Sequence, residues 1–394
     1  MPSAPPVPLS GRRLRVAWLC GPLPSETGHF ALLAEHVDLL VVCSSGPGRQ
    51  AAPQAPEGVE VRAVRAVGRR TTQLSWMYPS LARELARFQP DVVHVVSEPW
   101  GLLAVYASLW VRRHPHVALV LHGCDRIWWH GGRLERAAKR LLVRASLPAA
   151  AAFCAETMAV TALARRSGLA STAPVAQIHT NPRDPRVFRP PDTDERAASR
   201  LRLGLPEHGI GLAFTGRLVP EKGPLLLLEA WAAIAPERRG SAWLVLAGGG
   251  PLTDEIRERT AGLVSGHFLG QVSFPDGVLD LCRAVEIVAV PSYTVDDWDD
   301  QSPRTVIEAL LSGALVVGSR SGGIPVMLAE TGLLVAEHDA EDLRRGLEQA
   351  LAVAADAVAL ARASKESVEQ GRRQYSTESV AQQLVQLWSR SVSR

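Results

Sequence analysis

The sequence predicts an α/β protein built from two Rossmann-like, doubly wound parallel sheets in separate domains that face a central cleft. Three observations carry this. Short apolar runs alternate with helical patterns along most of the chain, as βαβ units require. A proline-rich break divides the alternation into two halves. Glycine-rich turns follow several apolar runs of the second half, at the carboxyl ends of strands, where such sheets bind ligands. At 394 residues the chain is long enough for two domains with full cores.

The first ten residues hold four prolines and, as residues 1–12, read as a disordered leader. A first domain is expected over 13–185. Its strands fall at Leu14–Cys20, Asp38–Cys43, Val59–Val64, Asp91–Val96, Val117–Leu121, Ala150–Cys154 and Val175–Ile178. Helical patterns lie between them at Ser80–Phe88, Leu102–Arg113 and Arg133–Ala145. The segment from Asn181 to Pro191 has four prolines and no apolar period, and a linker is expected over 186–208. A second domain over 209–375 has strands at Gly211–Thr215, Trp243–Ala247, Val285–Val290, Ala314–Gly318 and Leu333–Val335. Its helices are Pro224–Ile234, Asp254–Leu263, Arg304–Leu311 and Asp342–Ala354. A last helix near Glu378–Ser389, within 376–394, can pack back on the N-terminal domain or on the second.

Composition narrows the function. Hydrophobic residues make up 46% and charged residues 21%, as in soluble globular proteins. A net charge of +3 is too small for a nucleic-acid partner. Cys20, Cys43, Cys124, Cys154 and Cys282 form no CxxC pair and read as reduced thiols. With no signal peptide or membrane span visible, the expected location is the cytoplasm, with peripheral contact at the inner face of the plasma membrane as an alternative. That alternative rests on Arg133, Arg136, Arg140 and Arg144, which share one side of a helix that follows Trp128-Trp129. The plainer account, preferred here, has a solvated arginine side and Leu134, Ala138, Leu141 and Leu142 facing the core. Oligomeric state is not encoded in any pattern.

The richest segment is Asp300-Gln301-Ser302-Pro303-Arg304-Thr305-Val306-Ile307-Glu308. Ser302 suits an N-cap and Pro303 the first helical position. The amides that follow, from Arg304 and Thr305 onward, have no intrahelical partner and attract an anion such as phosphate. Asp300 and Glu308 flank that end and can bind hydroxyl groups. One segment thus holds the chemistry of a sugar nucleotide. Gly216-Arg217-Leu218-Val219-Pro220-Glu221-Lys222-Gly223 adds two cations at a strand end, a guanidinium fork and a point charge. Gly248-Gly249-Gly250-Pro251-Leu252 and Gly322-Gly323-Ile324-Pro325 are further turns of this kind.

These motifs, with Pro291-Ser292 and Ser312–Pro325, stand in the order and spacing of the family 4 (group 1) glycosyltransferases, and residues 210–335 resemble the nucleotide-sugar-binding domain of that family. Weaker similarity extends over Pro90–Val96, Glu98-Pro99-Trp100 and His179–Pro190. The resemblance implies a GT-B fold and a retaining glycosyltransferase that moves a sugar from a nucleotide-diphosphate sugar to a hydroxyl acceptor on a glycan, a glycolipid or a small molecule. It implies that Arg217 and Lys222 neutralise the leaving diphosphate, Asp300 binds donor-sugar hydroxyls and Glu308 the ribose. Gly28, Gly216, Gly249, Gln301, Ser302, Pro303, Arg304, Thr305 and Val306 would line the donor, and His122 would lie near the reacting sugar. Glu98, Trp100 and Asp125, which follow strands, are candidates for the acceptor side. The chain departs from the family in having Asp300 where Glu is usual, Ser302-Pro303 in place of Phe-Gly, and no Gly-Gly pair between Gly21 and Gly28.

No resident cofactor or metal is expected, the nucleotide sugar being a co-substrate. Asp296-Asp297-Trp298-Asp299-Asp300 contains Asp-x-Asp pairs, but relatives of this fold generally work without metal; a solvated acidic loop is the plainer account, and recognition of a basic group a sharper one. The alternatives are another sugar-nucleotide enzyme of this fold, such as an epimerase, or a non-catalytic nucleotide-sugar-binding protein. A phosphorylase would need pyridoxal phosphate on one of only three lysines, Lys139, Lys222 and Lys365.

Overall fold

A computed structural model describes residues 12–21, 27–45, 55–67, 77–126, 128–129, 131–296 and 298–393. The chain forms two compact units, 1–182 with 377–394, and 183–376. The first is built on seven strands: β1 (Arg15–Leu19), β2 (Asp38–Ser45), β3 (Val59–Arg65), β4 (Val92–Val96), β5 (Ala118–Gly123), β6 (Ala152–Ala155) and β7 (Val175–Gln177). Their order is β3-β2-β1-β4-β5-β6-β7 and every pairing is parallel. The second has β8 (Gly211–Thr215), β9 (Trp243–Ala247), β10 (Gly266–Gly270), β11 (Ile287–Val290), β12 (Leu315–Ser319) and β13 (Leu333–Val335), in the order β10-β9-β8-β11-β12-β13, again all parallel.

Both sheets are buried on two faces. In the first unit, Leu40, Val95, Leu119 and Phe153 point into one core, while Val16, Val41, Val120 and Cys154 point into another. This alternation explains why the strands read as unbroken apolar runs. The helix Thr377–Val392 belongs to the first unit, where Val380, Leu384, Leu387 and Trp388 complete the second of these cores beside Phe30 and Leu33.

Three expectations need correction. Residues 186–208 are not a linker. Phe188 and Leu205 lie in a core of the second unit, and Thr193–Leu203 is a helix opened by a capping box between Asp192 and Glu195. Arg200 from that helix pairs with Glu286 at 3.0 Å, and Glu286 accepts the Gly211 N–H at 2.7 Å, which ties the helix to the start of β8. Arg12 is not part of a leader, since its Nη2 pairs with Asp91 at 2.5 Å; residues 1–11 lie outside the described residues. On the helix Arg133–Ser146, Leu134 and Leu141 are 88% and 69% exposed, so they do not face the core. The side turned inward carries Val143, Ser146 and, fully buried, Lys139, whose ammonium pairs with Glu135 and lies over the Trp100 ring.

None of the five cysteines is in a disulfide. No helix among the described residues is long and apolar enough to cross a membrane.

Candidate functional site

In the second sheet the strand order reverses between β8 and β11, and a ligand crevice is expected at their carboxyl ends. The candidate donor residues gather there. β8 ends at Thr215 and continues into Gly216 and Arg217; β11 ends at Val290 and continues into Pro291-Ser292. The two glycine turns are laced together: Leu218 N–H donates to Gly249 O at 2.9 Å, and Leu252 N–H to Leu218 O at 3.0 Å. Gly248 is obligatory here, because a Cβ on it would collide with the Gly216 carbonyl.

Lys222 closes the short 3-10 turn Pro220–Lys222 and reaches Asp300, with Nζ to Oδ2 at 2.6 Å. The Ser292 hydroxyl donates to the same oxygen at 2.6 Å. Lys222 also lies over the Trp298 ring, 5.1 Å from its centre. Asp300 is further held by its backbone, whose carbonyl accepts the Gly323 N–H at 2.9 Å. Gly322 sits against that backbone at φ +53°, where a side chain would strike Asp300. The acidic loop is therefore not simply solvated. Asp299 and Asp300 are buried, the first accepting from the Gln301 amide. Asp296 is exposed, and Asp297 lies outside the described residues. Among the described residues this loop gathers no group of three metal-ligating atoms.

The helix Arg304–Leu311 starts one residue later than the sequence suggests. Pro303 is the capping position, with φ −64° and ψ 116°, and no side chain caps it, so Ser302 is not the N-cap. The proline ring sets φ, and the bare helix end is left with its first amides, those of Arg304 and Thr305, pointing out of the helix. The Thr305 hydroxyl donates to Thr215 O at 3.1 Å, fixing this helix end at the end of β8. Val306 and Glu308 face inward, and Arg304 is exposed. Arg217 is exposed and makes no hydrogen bond or ion pair with a described residue. Ser292 and Arg183, which bonds Glu308, were missed by sequence reasoning. Ser292 stood in a matched motif with no role; Arg183 had no local signal at all.

The first sheet reverses between β1 and β4, and its strand ends carry the other candidates. Here the expected roles change. His122 is buried in β5 with both ring nitrogens committed. Trp388 Nε1–H donates to His94 Nδ1 at 3.0 Å, so the His94 proton is on Nε2, which faces His122 Nδ1 at 3.3 Å. His122 Nε2–H then donates to Ile178 O at 2.9 Å. Burial lowers His122 to about 4 and His94 well below the usual histidine range, so both rings are neutral. The assignment of His122 to a reacting sugar is not supported: it is one link of a closed core network.

Glu98 and Trp100 are also buried rather than exposed to an acceptor. Glu98 Oε1 accepts the Cys124 and Asp125 amides at 2.8 and 2.9 Å, bracing the turn after β5. Burial pushes its carboxyl up to about 8 against those two bonds. Asp125 is half-buried beside it. Gly28 opens the helix Gly28–His36, exposed, with open space where a Cβ would go; Pro22–Glu26 before it lie outside the described residues.

His122, Cys124 and Glu156 bring ligand-type atoms within 4.8 Å of one another. Glu156 already accepts from the Thr180 hydroxyl at 2.7 Å, and both His122 nitrogens are used, so this trio would hold a cation only by giving up those bonds.

Two Rossmann-like parallel-sheet units, with cations, acids and an open helix end at the switch point of the second, define a protein of the GT-B class. The chain belongs to the family 4 glycosyltransferases. Residues 30–180 match the family described as Glycosyltransferase Family 4, and residues 209–353 match Glycosyl transferases group 1. Similar relatives are D-inositol 3-phosphate glycosyltransferases of Saccharomonospora viridis, 36% identical over 167 residues, and Rhodococcus jostii, 35% over 171 residues. These alignments cover 39% and 41% of this chain and only 37% and 36% of the relatives' length. Among solved structures, Anabaena Alr3699/HepE in complex with UDP has a TM-score of 0.70 at 16% identity, covering 95% of this chain and 99% of that one. WaaG, a glycosyltransferase involved in lipopolysaccharide biosynthesis, has 0.63 at 17%, covering 94% and 99%.

Proposed function

We propose that the chain is a retaining glycosyltransferase that transfers a sugar from a nucleotide-diphosphate sugar to a hydroxyl acceptor on a glycan, glycolipid or small molecule, without a metal. The observation that carries this is the Lys222–Asp300–Ser292 cluster at the β8/β11 switch point, beside the open amides of Arg304 and Thr305. Lys222 and Asp300 pair with each other. On this reading the donor separates them: Asp300 turns to sugar hydroxyls and Lys222 to the diphosphate. The bond between the anomeric carbon and the phosphate oxygen breaks, leaving negative charge on the diphosphate, which Lys222, Arg217 and the helix amides stabilise. The acceptor oxygen attacks from the same face, and its proton passes to the departing phosphate oxygen. No carboxylate nucleophile is needed, unlike most retaining glycosidases.

The test is a thermal-shift screen against UDP-, GDP- and ADP-sugars, followed by turnover in excess EDTA and NMR of the product. A retained anomeric configuration with full activity in EDTA is expected. An inverted anomer would overturn the retaining mechanism, and absence of any shift or turnover would overturn the enzyme.

A peripheral membrane contact gains support from Leu134 and Leu141, exposed beside Arg133, Arg140 and Arg144 on one helix. Such a surface suits anionic lipid. Binding to anionic vesicles at low salt, lost in a Leu134→Ser/Leu141→Ser variant, is the expected result; no sedimentation with vesicles would sink it.

A further inference from the structure

Glu308 is held by a partner that no local motif announces. Arg183 donates to its Oε1 twice, from Nε at 3.0 Å and from Nη2 at 2.7 Å. The two side chains are only 2% and 6% exposed. The guanidinium carbon lies 5.1 Å from the centre of the Phe274 ring and 5.9 Å from that of Phe188, over the face of each ring. The backbone is fixed as well, with Arg183 N–H donating to Tyr375 O at 3.0 Å. Arg183 is the first residue of the second unit, and Tyr375 is next to its last. The residue at which the chain enters this unit is therefore bonded where the chain leaves it.

A polar group at this depth needs hydrogen-bond partners. A buried ion pair, on the other hand, is weak evidence for stability, because apolar residues of similar volume often serve as well. What the pair supplies is an acceptor oxygen held in a fixed place. Both bonds fall on Oε1 and neither uses Oε2. Two donors of one rigid guanidinium converge on Oε1 and fix its place, which the flexible, single ammonium of a lysine would hold less tightly.

We propose that Arg183 is a positioning residue for donor binding, holding the Glu308 carboxylate in place so that it accepts hydrogen bonds from the vicinal hydroxyl groups of the donor's ribose. This rests on the glycosyltransferase reading above. It assigns Arg183 to recognition of the sugar of the nucleotide, not of its base or phosphates.

The experiment uses the full chain and whichever of UDP, GDP or ADP binds best, compared by calorimetry with its 2′,3′-dideoxy analogue. The wild-type protein should prefer the ribonucleotide by about tenfold or more, as expected for bonds to a charged acceptor. In Arg183→Met the preference should shrink to that of Glu308→Gln, with dideoxy affinity unchanged. Arg183→Lys, which keeps the charge but not the fork, should fall between and serves if the methionine variant does not fold. A purely structural role would weaken both ligands equally. That outcome, or an unchanged preference in a folded variant, overturns the inference. Equal wild-type binding of both nucleotides would overturn it while leaving the glycosyltransferase reading standing. A wild-type protein that binds no nucleoside diphosphate overturns both.

Discussion

Both sheets reverse their strand order at an equivalent place, β8/β11 in one and β1/β4 in the other, and both gather polar residues at or beside it, but the two collections are built differently. At the β8/β11 end, Lys222 and Asp300 are 19% and 7% exposed and bond mainly to each other, beside helix amides that have no partner within the helix. At the β4/β5 end, His94, His122 and Glu98 are buried, and their partners are backbone groups or core side chains. The first arrangement can exchange its bonds for those of a ligand. The second would lose bonds that a ligand could not replace. Position at a switch point is thus not enough to identify a binding residue; access and the replaceability of its partners decide.

The largest effect that would test this contrast is acid sensitivity of the first unit. His29 and His122 are lowered to about 4 by burial, and His94 is lowered well below the usual histidine range by burial and the neighbouring His122. Each is neutral in the folded protein, whereas an unfolded histidine takes a proton near its ordinary value of 6.5. Between those values the unfolded chain binds protons that the folded chain refuses, so stability is complete above pH 6.5 and falls as pH drops toward 4. The loss is on the order of 3 kcal/mol for a histidine shifted this far, and more for the set. Hydrogen exchange across β4 and β5 should accelerate steeply from pH 6.5 to 4.5, after correction for intrinsic rates. Flat protection over that range would mean the network is open to water, and His122 would return as a candidate for the sugar.

Lys222→Met tests the other side. Loss of a charged hydrogen bond made to the leaving diphosphate costs about 1.5–3 kcal/mol, which is roughly tenfold to more than a hundredfold in rate. Asp300 is buried but keeps its bond from the Ser292 hydroxyl when Lys222 is removed, so the melting temperature should fall by only a few degrees. A variant that keeps kcat/KM within threefold of wild type would remove Lys222 from the machinery. A variant that melts early would make the pair a structural one, like those of the first unit.

Much of this fold was legible because parallel strands covered on both faces read as continuous apolar runs, as in Val92–Val96 and Trp243–Ala247. What was missed lacked that pattern. β10 is an edge strand, partly exposed, with glycine at both ends and His267 inside. The helix Ala357–Tyr375 buries Ser367, Gln370, Gly371 and Tyr375, so it shows little apolar period. The helix Thr193–Leu203 did carry a signal, the Asp192–Glu195 capping box, but the prolines just before it suggested a linker. The cluster around Lys222 and Asp300 was legible because glycine turns and charges at strand ends are local in sequence. Arg183 was not, since its bond to Glu308 spans 125 positions and nothing near Arg183 announces it. His122 and Glu98 misled for the opposite reason: sequence shows that a polar residue follows or ends a strand, and not whether its bonds are already made.

The smallest effect is also the most discriminating. Gly28 is a candidate of the first unit that lies outside the buried network: it is exposed at the first position of its helix, and a Cβ there would meet nothing within 4 Å. Its φ is not in the left-handed region, so conformation does not demand glycine. Gly28→Ala should leave stability unchanged or raise it by a few tenths of a kcal/mol, through the better helix propensity of alanine. If backbone at this helix start approaches the diphosphate, the added methyl group should raise the donor KM severalfold while the melting temperature stays within about 1–2 °C of wild type. That separation of binding from stability is what the Lys222 site should show and the His122 network should not. Unchanged donor kinetics in Gly28→Ala would withdraw the first unit's last accessible donor candidate and leave donor binding to the residues around β8 and β11.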